Sequence, residues 1–276
     1  MNILDQIIAN KYKEVAERKE LYPVKLLEKS LYFETPCISL ERYLLRPDKS
    51  GIIAEIKRKS PSRGDINPYV SVERTSIGYM QAGASALSIL TDGPYFGGKN
   101  EDLTTARKYN YCPILRKDFT VDEYQIIEAK SIGADAILLI AAALEPTRLK
   151  ELATFARSFG LEVLLEVRDK EELDATLSED INVVGVNNRN LKDFVTDINT
   201  SFEMASYIPS GITKISESGI SNPQTLLELR EAGFNGFLIG ESFMYNSRPE
   251  RAAANFIKEY KQLLEKQESQ LVKSLK

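Results

Sequence analysis

The chain has 276 residues, 43% hydrophobic and 28% charged, with a formal net charge of −4; this predicts a globular protein with a sizeable core and excludes a general basic field for nucleic acid. It contains no histidine, which removes Ser-His-Asp triads, Cys-His pairs and histidine-ligated metals and leaves acid–base work to Glu, Asp, Lys, Tyr or water. No run of about 20 apolar residues predicts a membrane span, residues 1–15 lack the apolar core of a signal peptide, and Cys37 and Cys112 are too few for a disulfide framework, so a cytoplasmic protein is expected.

Ile3, Leu4, Ile7, Ile8, Tyr12, Val15 and Ala16 recur at helical spacing and predict an amphipathic helix over 2–19, stopped by Pro23. A second helical run covers 24–31, a loop passes through Thr35 and Pro36, and Ser39 is placed to cap a short turn reaching Leu44. This opening segment must bury its apolar stripe, so a lid packed on the main domain is expected rather than a free partner-binding arm.

After Gly51 strand-like runs alternate with amphipathic ones. The strands are expected at 52–57, 86–91, 113–118, 136–141, 162–167, 183–188, 213–218 and 236–241. The helices are expected at 72–81, 100–108, 122–130, 146–158, 170–177, 200–207, 223–231 and 249–267. Gly83, Gly133, Gly160 and Gly233 stand where helices should turn into strands, and Pro146, Pro223 and Pro249 stand at helix starts. The strands are continuously apolar rather than alternating, as in a parallel sheet. Eight such units predict a (β/α)8 TIM barrel with an extra N-terminal helical segment. A doubly wound sheet is the alternative, but the first strand–helix turn lacks Gly-x-Gly-x-x-Gly. The expected organisation is a single domain over 1–276: a helical extension, 1–50, over the barrel mouth, the barrel over 51–264, and a C-terminal tail of frayed helix over 265–276.

In such a barrel the C-terminal strand ends face the active site. Strand one ends in Glu55 and Lys57, which alternation puts on one side of the strand, with Lys59 continuing that face before Ser60-Pro61-Ser62 breaks it. Strand three ends in Lys117 and Asp118, strand five in Glu166, strand six in Asn187, Asn188 and Arg189, strand seven in Glu217 and Ser218, strand eight in Gly240 and Glu241. A single strand-end ion pair is as readily structural as functional. Polar groups at one end of six apolar strands point to chemistry. The glycine turns at Gly219 and Gly240 let backbone N–H groups approach an anion, so a phosphate is expected there, with the Glu241 side chain turned away. Phe96, Phe119, Leu138 and Ile239 lie where they can form an apolar wall.

Ile-Ala-Glu-Ile-Lys-Arg-Lys-Ser-Pro-Ser, Ile-Leu-Arg-Lys-Asp-Phe, Leu-Leu-Glu-Val, Gly-Val-Asn-Asn-Arg-Asn-Leu, Ser-Glu-Ser-Gly-Ile and Phe-Leu-Ile-Gly-Glu, in this order, resemble the indole-3-glycerol-phosphate synthase family. The resemblance runs from the N-terminal helices to strand eight. It implies a (β/α)8 barrel with a helical N-terminal extension, no metal or organic cofactor, and a small phosphorylated substrate. It also implies ring closure, decarboxylation and dehydration of 1-(2-carboxyphenylamino)-1-deoxyribulose 5-phosphate in tryptophan biosynthesis. It assigns Lys117 as the general acid of ring closure and Lys57 as carboxylate partner or second acid, leaving open which lysine serves the dehydration. Glu166 becomes the partner for the dehydration proton transfers. Glu55 orients a lysine and binds a hydroxyl, and Asn187 binds the substrate with Arg189 on the carboxylate side. Glu217 and Ser218 line the ribulose side, and Lys59, Ser60, Gly219 and Gly240 grip the phosphate. Glu241, where a small residue is common, and Arg63, an extra cation in the first loop, depart from the pattern. A monomer without nucleic-acid or membrane partners is expected, with oligomers left open. Two rivals remain: another phosphate-binding barrel, such as a sugar-phosphate isomerase or a Schiff-base aldolase, and a non-catalytic phospho-ligand sensor.

Overall fold

The computed structural model describes residues 2–190 and 194–274; Leu191, which closes one of the motifs, and Leu275 and Lys276 of the tail lie outside them. Eight parallel strands close into a barrel: β1 (Ile52–Ile56), β2 (Ala86–Leu90), β3 (Ile114–Lys117), β4 (Ala136–Ile140), β5 (Glu162–Val167), β6 (Val183–Asn187), β7 (Thr213–Glu217) and β8 (Gly236–Ile239). Each strand pairs with its sequence neighbours, and β1 closes the ring by pairing with β8, Ile53 opposite Leu238. The helices are α1 (Ile3–Leu21), α2 (Val24–Leu27), α3 (Leu40–Leu44), α4 (Val72–Ala82), α5 (Asn100–Tyr109), α6 (Glu123–Ser131), α7 (Pro146–Ser158), α8 (Lys170–Thr176), α9 (Asn199–Met204), α10 (Pro223–Glu231), α11 (Glu241–Met244) and α12 (Pro249–Ser274). Gly83, Gly133, Gly160 and Gly233 all have positive φ after helix ends, a conformation that glycine reaches without steric cost.

The alternation of strand side chains decides where the chemistry sits. Ile53, Leu115, Leu164, Val183, Ile215 and Leu238 fill the barrel interior together with Leu40 and Leu44. The residues between them, such as Ile52, Ala54, Ile114, Val163 and Val184, pack against the surrounding helices. Continuing the interior row by two residues gives Glu55, Lys117, Glu166, Gly185 and Asn187, Glu217 and Gly240. The same row that builds the dry core therefore ends in polar groups at one rim.

The structure divides the segment expected to cover the mouth. Ile3, Leu4 and Ile7 of α1 line the cavity there. Leu40 and Leu44 of α3, 0% and 2% exposed, enter the barrel interior instead. The Glu41 backbone N–H donates to Glu162 Oε2 (2.9 Å) and Thr213 Oγ1 donates to Glu41 Oε1 (3.1 Å). Glu162 and Thr213 begin their strands, so α3 plugs the end of the barrel opposite the mouth. The last helix runs past its expected end at 267: α12 continues through Ser274, and Gln267 donates to Glu231 Oε1 at 2.6 Å. No glycine or proline interrupts 265–274, so nothing local stops the helix there. An antiparallel ribbon pairing Lys59–Ser60 with Gly64–Asp65 forms the first loop.

Candidate active site

A cavity of about 600 Å³ opens at the C-terminal strand ends. Its wall contains Glu55, Lys57, Ser60, Phe96, Lys117, Phe119, Leu138, Glu166, Asn187, Arg189, Glu217, Ser218, Gly219, Ile239 and Gly240. Lys59 is the one site residue expected from the sequence that the wall lacks. Strand β1 stops at Ile56, so the alternation that would align Lys59 with Glu55 and Lys57 ends too early. Its side chain runs beside Gly97, and its N–H donates to Phe96 O at 3.3 Å. Ile239 reaches the wall although it packs with the outer layer; Leu238 is the interior residue beside it.

The polar centre is a chain of buried charges. Lys117 Nζ lies 2.9 Å from Glu166 Oε2 and 2.7 Å from Glu217 Oε2. Lys57 Nζ lies 2.8 Å from Glu55 Oε1, and Ser88 Oγ donates to Glu55 Oε2 at 3.3 Å. Asn187 donates to Glu166 Oε1 at 3.0 Å, and its own oxygen accepts the Arg189 backbone N–H. Burial alone would lower the Lys117 pKa, but Glu166, Glu217 and Glu55 outweigh it and raise it. Burial pushes the Glu55 carboxyl up, and Lys57 and Lys117 reverse that and hold it below its usual value. Glu217 goes the other way, to about 7: burial raises it, Lys117 opposes, and Glu166 adds to the rise.

That rise has a measurable consequence. The folded chain keeps Glu217 protonated up to about pH 7, whereas the unfolded chain ionises it near 4.5. The stability tied to this proton is complete below pH 4.5 and is lost as pH rises through about 7. Denaturant midpoints of the wild type minus those of Glu217→Gln are therefore expected to fall across that window. A difference that stays constant would contradict the shift.

Gly185, which opens one of the sequence motifs but is not among the expected site residues, makes room for this group. A Cβ there would come within 2.2 Å of Glu217 Oε1. Gly185→Ala is expected to push the carboxylate off Lys117 and cut kcat/KM by about 10²-fold, the order of a 1 Å misplacement; a variant with wild-type kinetics would show that this contact is unimportant. Gly240 is fixed in the same way, since a Cβ would meet Glu55 Oε1 at 2.6 Å.

At the rim, Ser218 and Gly219 have φ of 70° and 77°. Left-handed backbone at a non-glycine residue such as Ser218 is costly and clusters at functional turns. Arg189 donates to Ser62 Oγ (3.0 Å), Thr196 Oγ1 (3.1 Å) and Glu241 Oε2 (2.9 Å), and Arg63 Nε is 3.2 Å from Glu241 Oε1. Glu241 thus lines the cavity rather than leaving it, with its charge matched by two arginines. The sequence departures at 63 and 241 form a pair across the mouth.

Lysines and carboxylates converging on one mouth of a (β/α)8 barrel define an enzyme that moves protons on a small molecule held there. The family profile for indole-3-glycerol phosphate synthase matches residues 4–256. An indole-3-glycerol phosphate synthase of Bacteroides thetaiotaomicron is 48% identical over 257 residues, covering 93% of this chain and 98% of its own. One of Salinibacter ruber is 40% identical over 269 residues, covering 97% and 99%. The chain belongs to the indole-3-glycerol phosphate synthase family. Among solved structures, a native KDPGal structure aligns with TM-score 0.57 at 17% identity over 79% of this chain and 97% of that one, a likeness of fold alone. No described helix is long and apolar enough to cross a membrane.

Proposed function

We propose that this chain is an indole-3-glycerol-phosphate synthase acting on 1-(2-carboxyphenylamino)-1-deoxyribulose 5-phosphate. The observation that carries the reading is Lys117, a buried lysine held between two carboxylates at the centre of the cavity. Its raised pKa keeps it an ammonium, so the proton is present, and this opposes the neutral amine a Schiff-base aldolase needs.

The aromatic ring carbon bearing the carboxylate attacks the ribulose ketone carbon. Lys117 gives its proton to the ketone oxygen as the new bond forms, so an alkoxide never accumulates. The carboxylate leaves as CO2, and its bonding pair returns to the ring. The new hydroxyl then departs as water after taking a proton from a lysine, Lys57 or Lys117, while Glu166 removes a proton from the adjacent carbon. Asn187 fixes Glu166 for this transfer. Glu55 orients Lys57 and faces a substrate hydroxyl, and Glu217 and Ser218 flank the ribulose chain. Ser60 and the turns at Gly219 and Gly240 hold the phosphate through N–H and O–H donors. Arg189 exchanges Glu241 for the substrate carboxylate. Phe96, Phe119, Leu138 and Ile239 enclose the ring.

Mixing enzyme with the ribulotide is expected to produce indole fluorescence. No fluorescence from folded protein would overturn the reading, and a lysine–substrate adduct trapped by borohydride would favour an aldolase.

A further inference from the structure

The α1 stripe contains a residue that does not belong to it by polarity. Leu4, Ile7, Lys11 and Val15 follow one another at helical spacing, and all four are buried, Lys11 to 1% exposure. An ammonium in that position is costly unless opposite charge meets it. Three carboxylates do: Asp92 Oδ2 at 2.9 Å, Asp118 Oδ1 at 3.0 Å and Glu14 Oε2 at 2.9 Å. Asp92 and Asp118 stand just beyond β2 and β3 and are themselves buried.

Both aspartates also hold backbone of the cavity wall. Asp92 Oδ1 accepts the N–H groups of Tyr95 (2.8 Å) and Phe96 (3.2 Å). Asp118 Oδ1 accepts the N–H of Phe119 at 2.8 Å. Phe96 and Phe119 both line the cavity, their ring centroids 5.9 Å apart. Among the described residues Asp92 Oδ2 has no hydrogen bond, so its contact with Lys11 is what compensates it. Asp118 has other donors, Thr91 Oγ1 at 2.6 Å and Arg116 Nη2 at 3.2 Å, and it directly follows Lys117. The cluster therefore joins three parts: the helix that roofs the mouth, the two loops that carry the aromatic wall, and the strand end that carries the central lysine.

We propose that Lys11 is a positioning residue for this reaction: through Asp92 and Asp118 it sets Phe96 and Phe119, and hence the pocket for the aromatic half of the substrate. The role rests on the synthase reading above. It does not require Lys11 to touch substrate. Burial would depress an isolated lysine, yet Asp118, Asp92 and Glu14 raise the Lys11 pKa. Burial likewise opposes ionisation of Asp118, and Lys11 and Arg116 hold it down at about 2. Lys11 and Asp118 thus keep their opposite charges around neutral pH, and their effect is geometric rather than a pH switch.

The test compares the two ends of the substrate. In Lys11→Met, KM for the ribulotide is expected to rise about tenfold or more, within the range that misplaced groups cost, with a smaller fall in kcat. Competitive inhibition by 2-aminobenzoate should weaken in parallel, while inhibition by inorganic phosphate stays as in the wild type. Lys11→Arg, which keeps the charge and most of the length, should restore aromatic affinity. Equal weakening toward both inhibitors would mean general loosening and overturn the proposal, as would unchanged KM in a folded Lys11→Met. If that variant does not fold, Asp92→Asn is measured instead: it keeps an acceptor for Tyr95 and Phe96 but loses the ion pair. Unchanged 2-aminobenzoate affinity there overturns the role of Lys11. A wild-type chain that binds 2-aminobenzoate but never turns over the ribulotide defeats the synthase reading, and the Lys11 comparison then still stands on binding alone.

Discussion

Lys117→Ala is expected to reduce turnover by about 10²–10⁴-fold, the usual worth of a positioned general acid, while the substrate still binds. The groups that grip the substrate lie elsewhere: the turns at Gly219 and Gly240, the Arg189 guanidinium and the aromatic pair. The carboxylates at the centre set a second expectation. Without the ammonium, Glu166 and Glu217 lose the partner at 2.9 and 2.7 Å that offsets their mutual repulsion, so the variant should bind a proton more tightly near neutral pH. Lys117→Arg separates charge from proton donation. It can restore the ion pairs, but a guanidinium does not give up its proton in this range. Turnover should therefore stay low in Lys117→Arg while substrate affinity and stability recover. Near-normal turnover in either variant would remove Lys117 from the role of acid. Binding is read by equilibrium titration with the ribulotide under single-turnover conditions, so that a lowered kcat is not mistaken for a raised dissociation constant.

Much of this architecture was legible because two simple signals agree. Continuous apolar runs bounded by glycine and proline give parallel strands, and the interior row of each strand runs on into a polar end. Glu55, Lys57, Lys117, Glu166, Asn187 and Glu217 could be read from that pattern alone. What the pattern missed depends on partners far away in sequence. Lys11 only interrupts the apolar stripe of its helix until Asp92 and Asp118 are brought to it. Gly185 reads as a small residue in Val-Val-Gly-Val until Glu217 is seen over its Cα. The pairing of Arg63 and Arg189 with Glu241 joins two loops to the start of α11 and leaves no periodicity. Lys59 stands off the wall for a different reason: the two-residue alternation ends with its strand at Ile56. Signals in Leu40 and Leu44 were visible as apolar residues, but nothing local says that they enter the far end of the barrel.

That last point changes how the N-terminal segment should be tested. Removing residues 1–50 as one piece would confuse two functions. Leu40 and Leu44 are packed inside the barrel, and truncating a buried leucine costs about 2–5 kcal/mol. Two such losses approach the whole stability of a domain, about 5–15 kcal/mol, and Glu162 and Thr213 would also lose their partners in α3. A 1–50 deletion is therefore expected to unfold or aggregate and says nothing about catalysis. Removing residues 1–22 takes away α1 and leaves α3 seated. That chain should keep its helical circular dichroism and a cooperative melt, since the closed ring of strands and its floor are intact. Its cavity would lose Ile3, Leu4 and Ile7, admit water to the site of ring closure, and lose the cation that joins Asp92 to Asp118. A loss of about 10²-fold in kcat/KM is expected, the order that poor positioning costs, carried mainly by KM. Wild-type kinetics from a folded 1–22 deletion would show that α1 is a passive cover, and the roof of the aromatic pocket would have to be sought in the loops after β1 and β6.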